Sequence, residues 1–68
     1  MNDMETRELE KHTVQETMIK LGGSFVASLG IALSHADPIN VRKIKQAFPE
    51  YWQEYLELGN KINKGEFE

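Results

Sequence analysis

Along the first third of the chain, charged and polar residues are broken only by Leu9 and then by Val14, Met18 and Leu21 at i, i+4, i+7. That spacing predicts a helix over Asp3 to Leu21, with Asp3 as a cap and Glu5 and Glu8 near the positive end of its dipole. Its first two turns offer only Leu9 to a core, so the segment 1–21 reads as a charged helix or arm, with His12 on its solvated face. Gly22-Gly23 then breaks the pattern, because each glycine costs about 1 kcal/mol inside a helix. From there Phe25, Val26, Leu29, Ala32, Leu33 and Ala36 form a broad apolar stripe, which predicts a second helix capped by Ser24. The small residues Gly22, Gly23, Ala27, Gly30 and Ala32 would let another helix approach closely.

At Asp37-Pro38 the chain turns after a short Ser34-His35-Ala36 connection, with Asp37 as N-cap and Pro38 at the first helical position. Val41, Ile44 and Phe48 at i, i+3, i+7 predict a third helix that leaves Arg42, Lys43, Lys45 and Gln46 outside. Pro49 lacks an N–H and disfavours a helical Phe48, so it should kink or restart this helix. Tyr51, Trp52, Tyr55, Leu56 and Leu58 follow, and Gly59 is suited to a left-handed cap that ends the run. The expectation is an all-α fold of three to four short helices. Its core would be a helical hairpin over 22–59, formed by the Phe25 to Ala36 helix against Asp37 to Gly59, and 60–68 would be a frayed tail with only Ile62 and Phe67 to pin it.

Length adds a constraint, since a chain of 68 residues buries only about 60 % of the surface its unfolded form exposes. With no cysteine to form a disulfide or thiolate site, self-association is the usual remedy for so small a core. A homo-oligomer, dimer or higher, is therefore expected. A net charge of −3 argues against general nucleic-acid binding. The apolar runs are too short for a membrane span and the charged N-terminus is unlike a signal peptide, which points to a cytoplasmic protein.

No catalytic motif is spelled, and neither cofactor nor metal is expected. Glu50, Glu54 and Glu57 at helical spacing read as a solvated face, and His35 with Asp37 lacks a third ligand. The reading is therefore non-enzymatic. Candidate contacts to a ligand or partner are His35, Asn40, Arg42, Lys43, Lys45, Tyr51, Trp52 and Tyr55. Cations supply charge-assisted bonds to phosphate, and aromatic faces stack bases. Trp52 and Tyr55 are available for this only if they are not spent on the core or on an oligomer seam, and the sequence leaves those alternatives open.

The pattern HADPIN, then KIKQAFPEYWQEY, then LELG resembles short helical open reading frames of phages and prophages, which share a histidine-alanine-aspartate turn, a lysine-rich helix and an FPEYW end. The resemblance covers Phe25 to Gly59 and implies origin in an infected or lysogenic bacterial host more than it implies an activity. In size, hairpin order and an aromatic-rich final helix the chain is also similar to phage proteins that sequester cyclic-nucleotide immune signals. That similarity implies phosphate at Arg42, Lys43 or Lys45 and a base at Tyr51 or Trp52. The expected role is counter-defence by capture of a nucleotide signal or of a host protein; the alternative is an assembly or DNA-transaction factor that binds another protein and no metabolite.

Overall fold

Four helices, α1 (Asp3–Leu21), α2 (Ser24–Ser34), α3 (Pro38–Ala47) and α4 (Pro49–Asn63), account for nearly all of the described residues in the computed structural model. It describes residues 3–63, with side chains from Leu9 onward. No strand occurs among the described residues, and none of the helices is long and apolar enough to cross a membrane. The expected capping by Asp3 and the placement of Glu5, Glu8 and Phe67 lie outside the described side chains.

Each break follows from local chemistry. The glycine pair ends α1, with the Gly22 N–H still reaching Met18 O at 2.9 Å. Gly23, not Ser24, is the N-cap of α2, in extended backbone (φ −69°, ψ −176°) and without a side-chain cap bond. Ser24 lies one residue too late to cap and is already helical; its carbonyl accepts from the Ser28 hydroxyl at 2.8 Å. Asp37 caps α3 as expected, its Oδ1 accepting from the Asn40 N–H at 2.8 Å, with Pro38 in the first turn. Phe48 leaves helical geometry (φ −130°, ψ 59°) ahead of Pro49, and α4 restarts there because proline crowds the residue before it.

The core overturns the expected hairpin. Val14 and Met18 of α1 are fully buried and pack with Val26, Leu33, Trp52 and Tyr55. Both α2 and α4 lie along α1, while α3 touches its neighbours sparingly and contributes no fully buried residue. The second half of α1 is thus the centre of the domain and not an arm. Leu21, assigned to the same stripe as Val14 and Met18, is exposed.

Two glycines make this arrangement possible. A Cβ on Gly30 would stand 2.8 Å from Ile19 Cγ1 and 2.9 Å from Gln15 O, and one on Gly59 would stand 2.5 Å from both Thr13 Cγ2 and Thr17 Oγ1. Gly59 is therefore an interior residue of α4 at its contact with α1, and the helix runs on through Asn63. The expected stop at Gly59 and the frayed Asn60 to Asn63 are corrected accordingly: a glycine marks a close approach as readily as a helix end. Beneath it, the buried Thr17 hydroxyl is satisfied by Thr13 O at 2.7 Å. The molecule measures 34 × 34 × 19 Å, about two helices thick, so each helix keeps an outer face.

Candidate functional site

The eight candidate contact residues do not form one site. Lys45 and Trp52 belong to an internal polar hub, Asn40, Arg42 and Lys43 to the exposed side of α3, and Tyr51 to an aromatic corner, while His35 ends α2 and Tyr55 lies in the core.

Glu10 is the centre of the hub. Its Oε1 accepts from Trp52 Nε1 at 2.5 Å and from Lys45 Nζ at 3.0 Å, while Lys45 Nζ also stands 5.3 Å from the centre of the Trp52 ring. Burial pushes the Glu10 carboxyl up, but the two hydrogen bonds and the Lys45 charge together outweigh it and hold the group below its ordinary value. A buried indole needs an acceptor for its N–H, and α1 supplies it. Trp52 is 4 % exposed and Tyr55 is also buried, so neither offers a face to a base. Lys45 is exposed but committed to Glu10. Glu10 was not among the sequence candidates; the only signal was that Trp52, if buried, would need an acceptor somewhere.

On α3 the helical spacing puts Ile39, Arg42, Lys43 and Gln46 on one stripe, all exposed, while Val41 and Ile44 turn inward. Ile39 is 62 % exposed. Among the described residues, neither Arg42 nor Lys43 has a carboxylate at ion-pair distance. Asn40 is exposed beside this stripe, its backbone N–H held by Asp37. His35 is exposed at the C-cap of α2, where its N–H reaches Ala32 O. The neighbouring Ala36 carbonyl accepts from Lys11 Nζ at 3.3 Å, a cation placed where the α2 dipole is negative.

The third place joins Tyr51 to residues the sequence assigned only to packing. Phe25 of α2 meets Phe48 edge-on with centroids 5.8 Å apart and Tyr51 at 6.2 Å, and Phe48 stacks with Tyr51 at 6.0 Å. Phe25 is nevertheless 58 % exposed. An open cleft of about 350 Å³ runs beside the cluster, lined by Ala47, Phe48, Pro49, Glu50 and Tyr51. Beyond Glu50 the outer face of α4 continues with Glu54 and Glu57, exposed and, among the described residues, without a cationic partner.

Comparison with protein-family models, with curated proteins and with solved structures finds no match to this chain.

Proposed function

We propose that this chain is a non-catalytic binding protein that occupies the surface of a host protein, the role its resemblance to short phage-encoded frames would suit. The observation that carries the reading is Phe25: a large aromatic side chain held by Phe48 and Tyr51 yet more than half open to solvent. Aromatic residues positioned by their neighbours and presented at a surface are typical anchors of protein interfaces. Glu50 in the adjoining cleft would repel a phosphate and suit an apolar side chain flanked by lysine or arginine.

Nucleotide capture has less support. Of the aromatic residues expected to stack a base, Trp52 and Tyr55 are buried, and of the cations expected to meet phosphate, Lys45 is already paired. The test is affinity capture from a bacterial host lysate with wild-type and Phe25→Ser baits, alongside calorimetric titration with cyclic di- and trinucleotides. A prey protein retained by the wild type and lost from Phe25→Ser is the expected result. Submicromolar nucleotide binding, or prey retained equally by both baits, would overturn the assignment.

A further inference from the structure

We infer that the outer face of α3 docks against the outer face of α4 of a second copy of this chain. The argument is one of charge. Arg42 and Lys43 lie exposed on α3 beside Ile39, Glu54 and Glu57 lie exposed on α4, and among the described residues none of these four has an ion-pair partner within the chain, Glu57 accepting from the neutral Gln53 amide at 2.9 Å. Of the charged groups near them, Lys45 is held by Glu10 on the flank of α3, while Glu50 lies one turn before Glu54, exposed in the cleft beside Tyr51.

The order of the charges favours an antiparallel crossing. One register sets Arg42 opposite Glu57 and Lys43 opposite Glu54 of the second copy, with Gln46 opposite Gln53. The same register brings Lys61, at the end of α4, toward Asp37, at the start of α3. A parallel crossing would leave Lys61 with no acidic partner on α3. Each copy presents both faces, so a two-fold pair would use the contact twice and satisfy both sets of charges, as closed symmetric dimers do. Exposed ion pairs add little affinity singly; here they orient the helices, and burial of Ile39, 62 % exposed in the single chain, supplies the apolar part. The surfaces differ from the Phe25 anchor, so a failure here leaves the host-protein reading standing, and the reverse also holds.

Sedimentation equilibrium of the full chain tests it directly. The mass should exceed that of one chain at about 0.05 M salt and fall toward it at about 0.5 M, as screening weakens exposed charges. Arg42→Glu/Lys43→Glu and Glu54→Lys/Glu57→Lys should each weaken association at least about tenfold by setting like charges face to face. Mixing the two variants should restore it, because each then supplies the face the other has lost. All four positions are exposed, and circular dichroism verifies that the helices persist. A wild-type chain that is monomeric at low salt, variants that associate as the wild type does, or a mixture that stays monomeric would each overturn the inference.

Discussion

Trp52 Nε1 donates to Glu10 Oε1 across 42 positions of sequence, fastening α4 to α1 by a bond between a buried ring and a partly buried carboxylate. Glu10→Ala removes the acceptor and leaves the indole N–H without a partner, which costs about 1–3 kcal/mol. Trp52→Phe, which loses the donor as well as some packing, should therefore cost less in the Glu10→Ala background than in the wild type. Urea unfolding of the four chains of this cycle measures the difference; strict additivity would mean that the bond contributes nothing.

Acid should loosen the same contact. The Glu10 carboxyl is held below its ordinary value of 4.5 in the folded chain. A carboxyl with a depressed folded value contributes stability that is fully present above its unfolded value and disappears as pH falls through the folded one. The stability advantage of the wild type over Glu10→Gln should hold at about pH 6 and shrink on acidification toward about pH 3. Chemical denaturation at successive pH values reads this, and an advantage that grows on acidification would reverse the assignment.

Gly59→Ala sets two effects against each other. Alanine is favoured over glycine in a helix interior by about 1 kcal/mol, but the added methyl would meet Thr13 Cγ2 and Thr17 Oγ1 at 2.5 Å. Overpacking of this kind costs about 1–3 kcal/mol, so the variant should be less stable and melt at a lower temperature. Thr13→Ser removes the Cγ2 methyl that the new Cβ strikes, whereas Thr17→Ser keeps the Oγ1 that it strikes, so Thr13→Ser should relieve the Gly59→Ala defect more. Thermal melts of the paired variants decide.

At the other end of the range is Gly23, whose Cβ position has no atom within 4 Å. It caps α2 in extended backbone without a side-chain bond. Gly23→Asp or Gly23→Ser supplies the missing acceptor and should stabilise by a few tenths of a kcal/mol, the gain usual over a glycine cap. Asp37→Ala removes the bond already present on α3 and should cost about 1 kcal/mol. Denaturation midpoints of the two substitutions should move in opposite directions.

What could be read in the chain was what depends on neighbours in sequence. Asp37-Pro38 states a helix start through bonds that close within three residues, and Pro49 imposes a disturbance on the residue beside it, so the start of α3 and a kink or restart at Pro49 are legible without any knowledge of packing. Val14 and Met18 were also legible, from their spacing. Gly59 was not, because the same residue permits a left-handed stop or a close helix contact, and Thr13 and Thr17 on a distant helix decide between them. Glu10 is one of 11 acidic residues, with nothing nearby in sequence to show that it meets Trp52. The hairpin expectation failed for a related reason: apolar content was counted per segment, and the few apolar residues of α1 proved to be the ones that both α2 and α4 cover.

That placement of α1 also sets an order of events during synthesis. Of the four helices, the one that holds the centre leaves the ribosome first and the one that closes over it leaves last. Val14 and Met18 must therefore wait in the nascent chain for Trp52 and Tyr55, and Glu10 for its indole, while α2 alone can cover them in the interval. This core can therefore close only once α4 has been made.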